Sequence, residues 1–570
     1  RKPCLFDDSV IDSFKNVIDA CHAEGAKVSV QLQHAGPDVN QKIAGYPLVA
    51  ASPIPSKDGH PTPVILTTEE IYDIIEAYGD AAVRAMKAGI DAVELHCAHG
   101  YLVSTFISPR TNKRVDEFGG CFENRMRFPR LIIENIKKKT EGKIAILARI
   151  NAQDDVLGGL TLQDSTAVAV YLEEVCKIDA LHVSRATHLN DECMWAPTAI
   201  HGGFSSDLVS SIKEVINIPV ITVGRFTEPQ YADIMVKQGR ADLVSFGRQS
   251  LADPETPNKA RDGKLELMTP CIACLQGCVP NMFQGKPITC LANPFLGREG
   301  ELTMAKESKN VLVIGGGLGG MQAAWVSALR GHKVTLVEKS YTLGGQMRLA
   351  AYPPGKGDIT NLVRNFIARC DEYGVKVLLN TEATEELVKE MNPDVCIVAT
   401  GATPLVLPIP GINDVGVINA IDLLDGQKAC GTKVLVVGGG MVGAETAEFL
   451  AEQEHEVSII EFKDKIAGDV AKEHRKYIME AFDRHNVESI TGAKVAEFYT
   501  DGVKYELADG SVHEIRGFDS VVLAMGSRNY DPISESLKDI VKETYVIGDA
   551  VRARRALNAT AEALDVALSI

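Results

Sequence analysis

The stretch NVLVIGGGLGGMQAA at 310–324 decides the fold of the second half of this 570-residue chain. Its apolar strand ends in Gly315, Gly317 and Gly320, spaced G-x-G-x-x-G at the start of a helix. The first glycine makes a tight turn, the second lets the backbone approach a pyrophosphate, and the third allows close helix–strand packing. Glu338 ends the following strand, where its carboxylate can bond a ribose hydroxyl. This order of elements predicts a Rossmann-type dinucleotide-binding domain.

A second stretch of the same kind, KVLVVGGGMVGAETAEFLAE, occupies 433–452. It carries Gly438, Gly440 and Gly443, and Glu461 closes the next strand. A carboxylate at that position favours a free 2′-hydroxyl, and hence NADH, because it repels a 2′-phosphate. Lys463 could soften the preference, so NADPH stays open as an alternative.

The two glycine stretches indicate two related domains, one nested inside the other. The segment TYVIGDAVRARRALNATAEA at 544–563 returns to the first domain after the second is complete. We therefore expect one nucleotide-binding domain at 306–425 and 520–570, with a second domain inserted at 426–519.

The first part of the chain, 1–255, alternates short β-rich runs with amphipathic helices. The runs lie at 27–33, 91–96, 143–150, 180–184, 219–224 and 241–247. Apolar strands separated by helices indicate a parallel sheet that is covered on both faces. An open doubly wound sheet is the rival, but this region has no glycine-rich dinucleotide turn. We expect an α/β fold of the TIM (β/α)8 type, whose first two strands would lie upstream of Arg1.

Polar residues cluster at or just after the ends of these runs, where a barrel keeps its active site. They are Gln31, His34, His96, His99, Arg149, Arg225 and Arg248. His96 and His99 could donate hydrogen bonds to a substrate carbonyl, and Tyr101 could deliver a proton to carbon. Arg149 and the pairs Gly224–Arg225 and Gly247–Arg248 suit an anionic phosphate. The alternatives are structural histidines and arginines in surface ion pairs.

Four cysteines stand between the two halves, in CIACLQGCVPNMFQGKPITC at 271–290. Cys271, Cys274 and Cys278 crowd together, and Cys290 follows alone. Zinc modules usually supply two separated pairs, so the spacing favours a [4Fe–4S] cluster over a structural Zn²⁺ site. The Pro-, Gly- and Cys-rich segment 256–305 is accordingly predicted to be a cluster-binding linker.

Composition narrows the class of protein further. The net charge of −17 argues against nucleic acid or an anionic membrane surface as a partner. No apolar run approaches the roughly 20 residues that span a bilayer. The other cysteines are scattered singly, which fits reduced thiols in the cytoplasm. The sequence leaves open whether the chain forms a homo-oligomer.

Together these residues resemble the iron–sulfur-containing branch of the old yellow enzyme superfamily, which includes 2,4-dienoyl-CoA reductases, 2-enoate reductases and trimethylamine dehydrogenase. The matching motifs are QLQHAG (31–36), HCAHGYLVSTFISPRTNKRVDEFGG (96–120), the four-cysteine segment, VIGGGLGG, GGQ (344–346) and VIGD (546–549). The resemblance implies FMN in the barrel, held by Gln31, Arg149, Gly224, Arg225, Gly247 and Arg248. It implies FAD on Gly315, Gly317, Gly320, Glu338, Gly345, Gln346 and Asp549, and a nicotinamide cofactor on the inserted domain.

The resemblance also implies a function. Electrons would pass from NADH through FAD, the [4Fe–4S] cluster and FMN to a C=C bond that a carbonyl activates. His96 and His99 would hold that carbonyl, Tyr101 would protonate the α-carbon, and the setting would be anaerobic. The alternatives are an amine dehydrogenase and an NADH-dependent electron donor to a protein partner. The substrate, whether a CoA thioester, free acid, steroid or flavonoid, is not indicated.

Overall fold

The structure is a computed structural model that describes residues 4–39, 41, 45–413 and 417–570. The chain divides into two compact units. The first unit comprises 1–196 with 201–247, and the second comprises 197–200 with 248–570.

The first unit is built on a six-stranded sheet in which every neighbouring pair is parallel. The strands pair in chain order and are Ser29–Leu32, Ala92–His96, Ala145–Asn151, Ala180–Ser184, Val220–Thr222 and Leu243–Val244. Parallel neighbours need a crossover between them, and helices supply it. All six predicted strands are confirmed, and their order is that of a TIM-barrel domain.

The helices of this unit cover the sheet with apolar faces. Those described are Ile11–Ala23, Thr68–Lys87, Leu102–Ile107, Phe122–Arg125, Arg127–Thr140, Leu162–Glu174, Asp191–Met194, Ser206–Lys213 and Pro229–Lys237. The longest begins at a capping box, in which the Thr67 hydroxyl accepts from the Glu70 N–H and the Glu70 carboxylate accepts from the Thr67 N–H. It packs against Arg127–Thr140. Two short strands, Val49–Ala50 and Val64–Ile65, were not predicted.

The second unit contains two five-stranded parallel sheets, as the repeated glycine stretches predict. The first sheet has the order Lys376–Leu378, Lys333–Val337, Asn310–Ile314, Val395–Val398 and Glu543–Val546. The second has the order Val417–Asn419, Ser520–Leu523, Lys433–Val437, Glu456–Ile460 and Glu488–Ile490. In each sheet the strand before the glycines pairs with the strand that ends in the acidic residue.

The limits expected for the inserted domain, 426 and 519, are too narrow. Val417–Asn419 and Ser520–Leu523 lie outside them, yet both pair within the second sheet. Short apolar runs of this kind carry no local sign of which sheet they will join. After the second sheet the chain returns to the first domain at Ser527–Asn529, a strand that pairs antiparallel with Ala402–Pro404.

The remaining elements of the second unit surround these sheets. A three-stranded antiparallel sheet consists of Ala493–Tyr499, Gly502–Leu507 and Val512–Arg516. The helices are Arg248–Ala252, Thr256–Arg261, Val279–Phe283, Leu318–Leu329, Gln346–Leu349, Asp358–Glu372, Glu385–Met391, Ala420–Leu424, Met441–Ala451, Lys472–Arg484, Ser534–Leu537 and Ala556–Ser569. Within the described residues, every helix is too short or too polar to span a membrane.

Candidate active site and cofactor sites

A buried carboxylate links the first strands of the barrel unit. Glu94 accepts from the Gln31 side-chain amide at 2.5 Å and contacts His182 Nδ1 at 2.8 Å. Burial alone would raise the Glu94 pKa, but His182 and the Arg149 charge bring it below its ordinary value. Gln31, predicted to lie near a flavin, is therefore held by a fixed anion.

The next group joins Arg149 to the two histidines. Arg149 Nη2 donates to Ser184 Oγ at 3.1 Å, and His99 Nε2 lies 2.8 Å from the same oxygen. His99 Nδ1 lies 3.2 Å from His96 Nε2, and both imidazoles are buried. Burial, together with the Arg149 charge, holds the His99 pKa well below its ordinary value, so this ring is neutral. The structure thus brings together Arg149, His96 and His99 as predicted.

Tyr101 lies against this pair and against a third histidine that the sequence reasoning missed. The Tyr101 ring centroid is 5.0 Å from His96 and 5.0 Å from His188, edge-on in each case. His188 Nε2 lies 2.7 Å from Asp38, and Trp195 lies 5.8 Å beyond His188. Burial would raise the Asp38 pKa, but the His188 contact lowers it overall. Asp38, His188 and Trp195 belong to long loops without periodicity, so no sequence signal marked them.

Gly224 and Arg225, which are predicted to bind the flavin phosphate, lie in a separate turn. Gly224 O accepts from the Gly203 N–H at 2.7 Å, and Arg225 adopts a left-handed backbone with φ 55°. Thr222 Oγ1 and Ser205 Oγ are buried there without a hydrogen-bond partner among the described residues. Beside the two histidines, Arg149 Nε is likewise buried without a hydrogen-bond partner among the described residues. Buried polar atoms of this kind call for a polar ligand, so the donor set fits a phosphorylated flavin. Gly247 is exposed.

The first glycine turn of the second unit is built for close backbone approach. A Cβ on Gly320 would lie 1.8 Å from Gly315 O, and one on Gly315 would lie 2.4 Å from Ala399 O. Gly315 itself has φ +105°, a conformation that favours glycine. Glu338 accepts from the Gly316 N–H at 2.6 Å, which pins its carboxylate beside the turn.

A cavity of about 470 Å³ opens beside this turn. The predicted residues that line it are Gly315, Gly317, Glu338, Gly345, Gln346 and Asp549. Gly320 is not among them because it lies in the helix–strand contact. Burial raises the Asp549 pKa. A cavity of this size suits an organic cofactor, so the lining fits FAD.

The second glycine turn repeats the geometry of the first. A Cβ on Gly443 would lie 1.8 Å from Gly438 O, and Gly438 has φ +107°. Glu461 accepts from the N–H groups of Gly439 and Lys463. Its carboxylate is therefore fixed where a ribose hydroxyl would bind. Gly438, Gly440, Gly443 and Glu461 lie outside the lining of the large cavity.

The wall of the large cavity also carries an acid–base group that no sequence pattern indicated. Lys356 forms an ion pair with Glu445, and both line the cavity. Burial raises the Glu445 pKa, and it raises that of Glu448, one helical turn further on, to about 7. Lys356 lies 89 positions before Glu445, so no local pattern connects them.

The four cysteines surround a second, smaller cavity. Burial raises the pKa of the Cys290 thiol to about 11, although the N–H groups of Asn293 and Ala292 donate to its sulfur. The Gln276 and Val279 N–H groups donate to Cys274 and Cys278. Buried thiolates are costly without a cation, so this donor set fits a metal cluster. Cys274 also lines the large cavity.

Among the described residues, no group of three His, Cys, Asp or Glu side chains is placed to hold a single metal ion. The preference for a [4Fe–4S] cluster over zinc rests on the spacing of the four cysteines along the sequence, three close together and one alone.

Arg248 begins the short helix Arg248–Ala252 directly after Gly247, with which it is predicted to hold the flavin phosphate. Within the second unit its side chain lines the cysteine cavity.

Comparison with known proteins matches both units. Residues 1–266 fit the NADH:flavin oxidoreductase / NADH oxidase family, and 309–563 fit the pyridine nucleotide-disulphide oxidoreductases. The chain is 39% identical to the NADH oxidase of Thermoanaerobacter brockii over 579 residues, covering 99% of this chain and 88% of the relative. It is 32% identical to the cinnamate reductase of Clostridium sporogenes over 594 residues, covering 100% and 88%.

A solved structure agrees with this assignment. The complex of 2-naphthoyl-CoA reductase with 2-naphthoyl-CoA has a TM-score of 0.94 and 31% identity, covering 99% of this chain and 88% of that one. The resemblance to the old yellow enzyme superfamily is confirmed. The cofactors expected from it, FMN, FAD, a [4Fe–4S] cluster and NADH, are confirmed too. The chain belongs to the NADH:flavin oxidoreductase / NADH oxidase family and is a flavin- and iron–sulfur-dependent oxidoreductase.

Proposed function

We propose that the chain uses NADH to reduce carbon–carbon double bonds that are conjugated to a carbonyl, in small-molecule substrates. The observation that carries the proposal is the pair of buried nitrogens, His96 Nε2 and His99 Nδ1, 3.2 Å apart beside Tyr101. Two of the relatives are named for cinnamate and 2-naphthoyl-CoA, which are unsaturated carbonyl compounds. NADPH remains an alternative donor.

The hydrogen bonds around the histidines assign their protons. His96 Nδ1 accepts from the Ala98 N–H at 3.3 Å, which leaves the proton of a neutral His96 on Nε2. Without a substrate, this N–H donates to His99 Nδ1, 3.2 Å away, and the His99 proton lies on Nε2, which donates to Ser184 Oγ. A bound carbonyl oxygen replaces the bond between the two rings. Ser184, which accepts from Arg149, then donates to His99 Nε2, the His99 proton lies on Nδ1, and the two N–H groups converge on one point.

A substrate carbonyl oxygen at that point accepts both hydrogen bonds. The donors stabilise the negative charge that develops on the oxygen as the β-carbon is reduced. Neutral His99 suits this role because it donates without giving up a proton. Bound flavin supplies the reducing equivalents.

Tyr101 completes the reaction by protonating the α-carbon from its hydroxyl. The Tyr101 ring contacts His96 edge-on, which places this side chain beside the carbonyl donors. His188, held by Asp38, also contacts the Tyr101 ring edge-on and is placed to orient it.

We also propose where the cofactors bind. Gln31, Arg149, Gly224, Arg225, Gly247 and Arg248 hold FMN. Gly315, Gly317, Gly320, Glu338, Gly345, Gln346 and Asp549 hold FAD, and Gly438, Gly440, Gly443 and Glu461 hold NADH. Cys271, Cys274, Cys278 and Cys290 ligate the cluster. None of the thirteen cysteines, all of which the structure describes, forms a disulfide, which supports a reducing, cytoplasmic location.

Oxidation of an amine is a second candidate, and one observation favours it. Tyr101, His188 and Trp195 stand in a row beside the Asp38 carboxylate, a grouping that could attract an ammonium ion. Asp38 is already paired with His188, however, so the converging imidazole donors favour a carbonyl.

An anaerobic screen separates the two candidates. The enzyme is photoreduced and mixed with an enone, an enoate or an enoyl-CoA, while reoxidation of its flavin is followed by absorbance. Reoxidation by one of these compounds supports the proposal. If none reoxidises the flavin while a tertiary amine reduces the oxidised enzyme, the amine reaction replaces it.

A further inference from the structure

Asp38 is a buried carboxylate whose two oxygens contact different side chains. Its Oδ2 lies 2.7 Å from His188 Nε2, and its Oδ1 accepts from the Ser56 hydroxyl at 3.1 Å. His60 Nδ1 lies 3.0 Å from that hydroxyl. The side chains of Asp38 and His188 are only 11% and 4% exposed. A charge enclosed in this way is costly unless neighbouring groups balance it.

The carboxylate lies among cations and imidazole rings. Burial would raise the Asp38 pKa, but the His188 contact and the Lys57 charge bring it below its ordinary value. Asp38 is therefore ionised at neutral pH. The charged and titratable side chains that face the pair are Lys57 and His60 beside Asp38, and His99 and Tyr101 beside His188.

The loop that carries Asp38 is fastened to the segment that carries Tyr101. The Leu102 N–H donates to His34 O at 3.1 Å. A Cβ on Gly36 would lie 2.8 Å from the Leu102 backbone, so glycine is what allows the two segments to approach this closely. These contacts fix the carboxylate relative to the Tyr101 ring.

We propose that Asp38 is a positioning residue that acts through His188, keeping the imidazole charged and oriented to return to Tyr101 the proton used at the α-carbon. The inference rests on the proposed reduction of an activated C=C bond. Tyr101 gives its hydroxyl proton to carbon and becomes a phenolate. The His188 imidazolium then gives a proton to the phenolate oxygen and becomes neutral. Water finally returns a proton to His188.

The contact between the carboxylate and the ring supports both parts of this role. An anion beside an imidazole favours the charged form of the ring. Because Asp38 engages Nε2, the proton on Nδ1 is the one that His188 transfers. Without the carboxylate, the buried imidazolium would be unbalanced and would lose its proton at a lower pH.

A substrate ammonium ion is the other group that the Asp38 carboxylate could serve, in the amine reaction considered above. The two roles predict different consequences when the charge is removed. Loss of an ammonium contact raises KM for a cationic substrate. Loss of a positioning contact lowers kcat for a substrate without positive charge and changes its pH dependence.

The experiment compares Asp38→Asn and Asp38→Glu with the unaltered holoenzyme, using cyclohex-2-enone and cinnamate as probes. FMN and FAD are quantified, flavin reduction by NADH is followed by rapid mixing, and kcat for each probe is measured from acidic to alkaline pH. In Asp38→Asn we expect the alkaline loss of kcat to begin about one pH unit lower, because a nearby opposite charge is removed. Flavin reduction by NADH should be unchanged. Asp38→Glu keeps the charge, so its shift should be less than half as large.

Asp91→Asn is the matched control. Asp91 lies 2.7 Å from His22 Nε2, the same contact as that of Asp38 with His188, but at the opposite end of the strand Ala92–His96. Its substitution should leave the pH dependence of kcat where it is.

Each outcome decides a separate point. An unmoved alkaline limb in Asp38→Asn with full FMN content overturns the inference. Equal slowing of flavin reduction and probe reduction overturns it too, as does an effect confined to the KM of trimethylamine. If Asp38→Asn retains no FMN, Asp38→Glu decides, and a shift of a full pH unit there contradicts a role for the charge. Failure of the unaltered enzyme to reduce either probe would instead contradict the proposed function.

Discussion

Replacing Gly320 by alanine tests whether the first glycine turn is built as described. The new Cβ would lie 1.8 Å from Gly315 O, and real Cβ atoms essentially never approach closer than 3.0 Å. The obstacle is backbone, so the helix beginning at Leu318 must move away from its strand. Overpacking of this kind costs about 3 kcal/mol. That loss should lower the unfolding temperature of the second unit by on the order of 5 °C.

Two neighbouring glycines provide matched controls. A Cβ on Gly319 would make an ordinary 3.4 Å contact with Ala559, and alanine favours a helix over glycine by about 1 kcal/mol. Gly319→Ala should therefore be neutral or slightly stabilising. A Cβ on Gly317 meets nothing within 4 Å but projects where the large cavity begins. Gly317→Ala should keep its stability and lose FAD affinity.

The assay is thermal unfolding followed by FAD fluorescence and by circular dichroism, with FAD and FMN quantified separately. Gly320→Ala should lose both stability and FAD while FMN is retained. Equal stability of Gly320→Ala and Gly319→Ala would refute the argument from the 1.8 Å approach. Equal FAD content in Gly317→Ala and the unaltered protein would refute the assignment of the cavity.

Three further outcomes are expected. Tyr101→Phe should slow alkene reduction by about 100-fold, the usual contribution of a positioned acid, and leave flavin reduction by NADH unchanged; equal alkene turnover would exclude Tyr101 as the proton donor. Glu461→Gln should relax the preference for NADH over NADPH by about tenfold, since a bond to a charged group is lost, and an unchanged ratio of kcat/KM values would contradict its role. The pKa of Glu94 is lowered in the folded state, so its ionised carboxylate stabilises the fold at any pH above the ordinary Glu pKa of about 4.3. This contribution to the free energy of unfolding is lost as the pH falls through the folded-state pKa. Glu94→Gln should thus lower the free energy of unfolding at pH 7, by a margin that shrinks on acidification, and a pH-independent margin would contradict this.

Features that depend on neighbouring residues were predictable from the sequence. The glycine turn at Gly315 and the acidic strand end at Glu338 depend on a few adjacent positions, and both have the expected geometry. The six barrel strands also follow from local apolar runs. His96, His99 and Tyr101 lie within one short segment, so their association was predictable too.

Features that depend on distant residues were not predictable. Asp38 and His188 meet through two long loops, and Lys356 meets Glu445 across two domains of one unit. Gln249 Oε1 accepts a hydrogen bond from the Cys271 N–H, 22 positions further along the chain, and no sequence motif marks that bond.

The most direct test of the whole account is to count the electrons that NADH delivers to Cys274→Ser under anaerobic conditions. Cys274 lines both the cysteine cavity and the large cavity, so its loss should interrupt the route between the two flavins. Rapid mixing with NADH should reduce FAD at close to the normal rate while FMN stays oxidised and the alkene is not consumed. Reduction of both flavins at normal rates, with the cluster absent, would contradict the account.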